Sequence, residues 1–313
     1  MIRFCRHSEI DPYKWDNAIQ QAQFPTVFAS YDLLTILAAG PNWNALIMDD
    51  YEYVMPLPER SKLGIHYIYT PFFLPQLGIF STHDVSARVT SDFFNAFPEE
   101  FLQIDILLNP NNDTSFIDSY TISLVSHLLD LNLTYENLYG HYSKNTQRNI
   151  KSAAKKDLTL VHACNIDDII RLFIQNRGKR KEVHFKKRDY KLLSSAANYL
   201  QAKDLLDIRG VINDNGALIA GALFVKDYQR RWFWFSGRDL KFAESKPMFY
   251  LLDRYIHENA ESSLFLDFNG SMNENVARLY KSFGGLPYDI KMVNFTTQSH
   301  FDRLIRLYRK IRR

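Results

Sequence analysis

Residues 206–236 constrain the fold most. Three apolar runs follow one another closely: Leu206–Asn213, Ala217–Lys226 and Arg231–Ser236. Asp214-Asn215-Gly216 joins the first two, and Asn and Gly tolerate the positive φ that a tight hairpin needs. Strands this close in sequence predict an antiparallel meander. Around it the pattern predicts a strand at Leu158–Ala163 and a helix from Asp167 with Ile169, Ile170, Phe173 and Ile174 on its apolar face. Helices at Asp189–Ala202 and Ser245–Asn259, a strand at Leu264–Phe268 and a strand near Ile290–Phe295 complete this half.

The first half has a similar outline. Helices are expected at Trp15–Gln23, Tyr31–Leu37 and Ser86–Ala96. Trp43–Met48 and Tyr53–Leu57 form a hairpin about Asp49-Asp50, and Leu102–Leu108 is a strand. Tyr67–Thr70 and Leu77–Phe80 read as strands that neighbouring prolines restrict to edges or ends. Helices and an antiparallel meander in each half make the chain α+β twice, with no residue-level repeat. The expected domains are 1–143 and 144–313, a comfortable division of 313 residues.

At 46% hydrophobic and 14% aromatic, each half can bury a core. A net charge of +3 means that any basic character is local. Cys5 and Cys164 stand far apart without metal-ligand spacing, which points to a reducing compartment rather than a disulfide framework. The N-terminus carries early charges and no apolar run, unlike a signal peptide. The longest apolar stretch, 65–80, contains Pro71 and Pro75 and is too short to span a bilayer, so a cytoplasmic protein is expected.

Residues 267–285, DFNGSMNENVARLYKSFGG, read as a strand end, a glycine turn and a well-signed helix. Ser271 and Glu274 have capping-box spacing. Val276, Leu279, Tyr280 and Phe283 make one apolar face, and Gly284 supplies a left-handed stop. Leu264, Leu266 and Phe268 alternate with Phe265 and Asp267, placing Asp267 at the end of a mostly buried strand.

Counted from Tyr280, Asn273, Leu279 and Gly284 resemble the N-x-x-A-x-x-L-Y-x-x-x-G-F signature of GNAT-type acyltransferases. Val276 and Gly285 depart from it. Together with TPFFLPQLGIF (70–80) and YENLYGHYSKNTQRNIKSA (135–153), the phrase resembles the Fem-type branch, which carries two GNAT-like domains in tandem. The long heptad arm that some Fem proteins insert is missing. The resemblance implies transfer of an acyl or aminoacyl group to an amine. Fem proteins take the amino acid from aminoacyl-tRNA to a peptidoglycan precursor; GNAT enzymes take an acyl group from acyl-CoA, bound at a splay in the sheet.

On that resemblance Tyr280 corresponds to the tyrosine that protonates the leaving group, or else it fills the apolar face. Asp267 is read either as the base that takes a proton from the attacking ammonium or as the anchor of the Gly270 turn. Donor contacts are expected from Ser236, Gly237, Arg238, Ser245 and Asn273. The segment 236–247 has no second glycine of the pyrophosphate loop, and Ser245 is read as the cap of the next helix. Lys144, Arg148, Lys151 and Lys155 fall in one stripe of a helix spanning 143–156, either a solvated face or a phosphate rail for tRNA. The run 177–188 has seven Lys or Arg in twelve, with Arg180 and Lys187 as acceptor-binding candidates and His184 alone among them. FDRLIRLYRKIRR at the C-terminus reads as an amphipathic helix that docks on the protein, on a membrane surface or on RNA. Neither a metal-ligand cluster nor a Walker or Rossmann loop is present in the sequence. The readings from the sequence are an aminoacyl-tRNA-dependent transferase, an acyl-CoA-dependent one for a small or lipid-linked amine, and a non-catalytic binder that retains the fold.

Overall fold

The computed structural model describes residues 1–62, 64–117, 120–180, 183–270 and 274–296. They divide into two compact units, Met1–Leu124 with the residues from Asp289, and Val125–Tyr288. The boundary expected at 143/144 falls inside the second unit. Asn273, the Ser271 cap and the C-terminal amphipathic segment lie outside the described residues.

Unit 1 contains β1 (Ile2–Cys5), α1 (Pro12–Gln21), α2 (Tyr31–Leu37), β2 (Trp43–Met48), β3 (Tyr53–Lys62) and β4 (Ile65–Tyr69). They are followed by β5 (Phe80–Ser81), α3 (Ala87–Asn95) and β6 (Phe101–Leu108). Asp11 caps α1 by accepting from the amides of Tyr13 and Lys14, Pro12 occupies the first helical position, and Trp15 and Ile19 point into the core. The expected strand at Leu77–Phe80 is reduced to β5, for a local reason. Gly78 takes φ +100, and side-chain amides replace a strand ladder. Asn112 Oδ1 accepts from Ile79 N at 2.8 Å, while Asn109 Nδ2 donates to the carbonyls of Leu77 and Ile79, each at 3.1 Å.

The remaining elements are β7 (Thr121–Asp130), α4 (Tyr135–His141), α5 (Lys144–Ala153), β8 (Thr159–Val161), α6 (Ile166–Gln175) and α7 (Lys187–Ala202). Then come β9 (Leu206–Ile212), β10 (Leu218–Asp227), β11 (Arg230–Arg238), α8 (Pro247–Glu258), β12 (Phe265–Asp267), α9 (Glu274–Ser282) and β13 (Leu286–Thr296). The expected meander is β9–β10–β11, antiparallel throughout. β12 adds parallel to β11, β7 antiparallel to β12, and β8 antiparallel to β9. β13, read in the sequence as part of the second half, pairs antiparallel with β6 from Lys291↔Leu108 to Thr296↔Gln103 and so completes the sheet of unit 1.

The two faces of the unit 2 sheet carry different helices. Phe224 of β10 stacks on Tyr255 of α8 with ring centroids 3.5 Å apart. Gly221, three residues earlier and therefore on the opposite face, receives α6. Gly210, Gly221 and Gly237 stand in register across β9, β10 and β11. A Cβ at Gly221 would lie 2.6 Å from Ile169 Cγ1. One at Gly237 would collide with the Ile169 carbonyl and lie 2.7 Å from the Phe173 amide nitrogen. A side chain is excluded at Gly237 because the helix backbone itself rests on the strand, and at Gly221 because Ile169 fills the space. Gly237→Ala is therefore expected to lower stability by about 1–3 kcal/mol through overpacking, read as a shifted denaturant midpoint at unchanged slope.

Candidate active site

β12 pairs with β11 only at Arg230↔Phe265, Arg231↔Leu266 and Trp232↔Asp267. The rest of β11, Phe233–Arg238, runs on past the end of β12. Just there β11 is irregular: Phe233 and Phe235 face the consecutive residues Phe224 and Leu223 of β10, so Trp234 is an extra residue. Such a bulge bends the strand and re-aims the residues beyond it.

Asp267 closes the paired end. Its side chain is fully buried. Oδ1 accepts from Ser126 Oγ at 3.1 Å and from Asn269 N at 2.9 Å; Oδ2 accepts from Arg230 at 2.7 Å and from Tyr288 Oη at 2.6 Å. Four donors occupy the roughly four lone-pair sites of a carboxylate. Ser126 Oγ in turn accepts from Gly270 N at 2.8 Å, within a turn where Asn269 and Gly270 both take positive φ. Burial raises the Asp267 pKa, opposed by the Arg230 charge and then by the three hydrogen bonds from Tyr288, Asn269 and Ser126. Of the two readings from the sequence, this geometry fits the anchor.

Beyond Asp267 the chain enters α9, which ends as expected. Gly284 has φ +84, and Gly285 N donates to the Tyr280 carbonyl at 3.4 Å, a Schellman closure. Tyr280 is buried, its ring stacked on Phe268 with centroids 4.8 Å apart and edge-on to Phe233 at 6.0 Å. It also lines a pocket of about 790 Å³. The pocket walls come from the α4–α5 junction, the C-terminal end of α6, the outer length of β11, the start of α8 and α9. Arg177, Arg180, Arg238, Arg278 and Lys281 are among its lining residues, with no Asp or Glu among the described ones. Phe173, Phe233 and Phe249 give it an apolar part. Burial pushes the Tyr280 phenol well above its ordinary pKa; Arg177 pulls it back and the Asp267 charge adds to the rise. Tyr280 is therefore protonated at neutral pH.

No family model and no curated protein matches the sequence. Solved structures do match over nearly the whole chain. FemX aligns with 90% of this chain and 96% of its own at 10% identity, with a TM-score of 0.64. A conserved protein of unknown function from Bacteroides thetaiotaomicron aligns with 94% and 99% at 10% identity and 0.62. L-PGS from Bacillus licheniformis aligns with 97% and 98% at 10% identity and 0.57. The chain has the fold of FemX and L-PGS. At such identity the likeness speaks for the fold alone.

In this fold, Tyr280, Ser236, Gly237, Arg238 and Arg180 are brought to one pocket. Asp267, Ser245 and Lys187 are not among its lining residues. Ser245 is not the cap of α8. That position is Lys246 in a left-handed conformation (φ 55, ψ 42), and Ser245 Oγ donates back to the Phe242 carbonyl at 2.7 Å. Pro247 opens the helix, and a right-handed helical conformation is disfavoured for the residue before a proline. Gly237 owes its missing side chain to α6 rather than to a phosphate. The stripe on α5 is shorter than expected: the helix stops at Ala153, Lys155 lies in the turn beyond it, and Lys144, Arg148 and Lys151 with Gln147 line an open groove of about 490 Å³. Lys187 is exposed at the start of α7.

Arg278 and Lys281 flank Tyr280 in the very phrase that carried the resemblance, yet sequence reasoning passed over them because they fall off its apolar face. Arg177 stood inside the basic run but was not singled out. Phe173 stood out only as part of the apolar face of its helix, His141 only within the 135–153 phrase, and Phe249 carried no signal.

Removing the charge of Asp267 leaves Arg230 without its buried partner. Asp267→Asn is expected to cost about 3–5 kcal/mol of stability, the scale for breaking a buried ion pair. Activity per folded molecule should survive; thermal melting alongside turnover separates the two.

Proposed function

We propose that the chain is a transferase of two GNAT-like units in tandem that moves an acyl or aminoacyl group from a phosphate-bearing donor onto an amine. The observation that carries this reading is Tyr280, a protonated phenol on the wall of a cation-lined pocket at the point where β11 runs past β12. Likeness to FemX and L-PGS favours aminoacyl-tRNA as the donor and a peptidoglycan-precursor-like or lipid-linked amine as the acceptor, and we place the reaction in the cytoplasm. Acyl-CoA is the alternative donor.

The chemistry asks little of the protein beyond placement and charge. The donor carbonyl lies along the outer edge of β11, past the bulge, where a strand N–H faces the developing oxyanion. The amine, once deprotonated, attacks the carbonyl carbon; the new C–N bond forms as the C–O bond to the tRNA ribose, or the C–S bond of a thioester, breaks. Tyr280 gives its phenolic proton to the departing oxygen or sulfur and is reprotonated from solvent. The excess ammonium proton leaves to water, since the Asp267 acceptor sites are already occupied.

Tyr280→Phe keeps the stacked ring and removes only the proton. Transfer is expected to slow by about 10²–10⁴ in kcat with little change in KM. Turnover equal to that of the unaltered protein sinks the acid role.

The donor can be told from the salt dependence of tRNA binding. Each phosphate contact on α5 releases counterions, so Arg148→Gln with Lys151→Gln should weaken bulk tRNA binding and flatten its log–log salt slope by about two. Absence of tRNA binding at low salt leaves acyl-CoA as the donor.

A further inference from the structure

At two places along the pocket, the end of β11 and the start of α8, the described backbone groups are poorly placed to receive a phosphate. Gly237, the only glycine among its described lining residues, is closed on its Cα side by the backbone of α6. At the start of α8, Pro247 has no N–H, and the amides of Phe249 and Tyr250 already donate to the Lys246 carbonyl at 3.1 and 3.2 Å. Of the first turn, that leaves Met248 as the remaining donor among the described residues.

Side chains supply what the backbone lacks. Arg238 is half-buried at the end of β11, and Arg180 follows the 3-10 turn Arg177–Lys179 after α6. Asn176 Nδ2 donates to the Arg238 carbonyl at 3.4 Å, tying these two chain segments together. Burial first, and then the Arg180 charge, hold Arg238 below its usual pKa. Both arginines line the same pocket, in which no acid is described, so an anion bound there meets two cations. Phosphate oxygens match the guanidinium fork.

We propose that Arg180 and Arg238 form a side-chain clamp for a phosphate group of the donor, in place of a glycine-loop cradle. This rests on the transferase reading above and gives the two arginines the phosphate, apart from Tyr280 on the same pocket wall. The diphosphate of CoA and the phosphodiester near the 3′ end of an RNA share the chemistry that the clamp recognises.

The test uses inorganic pyrophosphate as the probe, with CoA and deacylated tRNA as competitors. Pyrophosphate should raise the melting midpoint of the full chain with concentration. The Arg180→Gln, Arg238→Gln double variant should bind it about tenfold or more weakly, because two charge-assisted forks are lost. Its ligand-free midpoint should be no lower than that of the unaltered protein, since a repulsion has gone. Lys203→Gln, on the exposed end of α7, should change nothing, and Arg238→Lys, which keeps the charge but loses the fork, should fall between. Displacement by CoA assigns the clamp to a CoA donor, and displacement by tRNA to an RNA donor; either supports it. The proposal is overturned if the double variant binds pyrophosphate unchanged, if pyrophosphate does not bind, or if neither competitor displaces it. Failure of the clamp with Tyr280→Phe still slowing transfer removes the clamp alone. Intact binding without transfer to any amine removes the transferase reading and leaves the clamp.

Discussion

Close seating of α6 on β10 and β11 is the contact on which the second unit depends. It exists because Gly237 presents no side chain where the helix backbone lies, and Gly221 none where the Ile169 side chain packs. From that seat the helix delivers Phe173 and, at its broken end, Asn176 and Arg177 into the pocket. Moving α6 outward by one methyl group would widen the pocket and carry Arg180 away from Arg238. Packing of the core and placement of the charges are thus one constraint, consistent with the low tolerance of close-packed interiors for added volume.

The other fixed point is Asp267. By taking hydrogen bonds from Ser126, Asn269, Arg230 and Tyr288 it pins the end of β12 and the turn after it. The chain then leaves for α9 in a set direction, with Tyr280 arriving on the pocket wall. A buried acid that is not among the pocket's lining residues thus fixes where the chain turns toward the Tyr280 wall.

Much of this was legible in the sequence. Trp43–Met48 and Tyr31–Leu37 form with the bounds that their periodicity predicts. The meander follows from the Asn215-Gly216 turn, and the stop at Gly284 from its αL geometry. What escaped had weak local signals. β1 is only four residues long, and β7 carries exposed Ile122 and Val125 beside buried Ser126 and His127, which breaks the alternation that marks a strand. The glycine row was invisible because register joins residues that stand eleven and sixteen positions apart, Gly210 with Gly221 and Gly221 with Gly237. The pocket cations lie on three separate segments, the turn after α6, the end of β11 and α9, and no periodicity links the three.

The return of β13 to β6 has a consequence for synthesis. Multidomain chains generally fold from the N-terminus as they emerge. Here the second unit has all its strands once residue 288 is made, whereas the first still lacks a strand although its other elements were translated long before. Until residues 289–296 appear, β6 has no partner on that side from this unit, a long apolar strand with an open edge. The older part of the chain must wait for the newer, so a chain cut after residue 288 would join a second unit with all its strands to a first unit with an open edge.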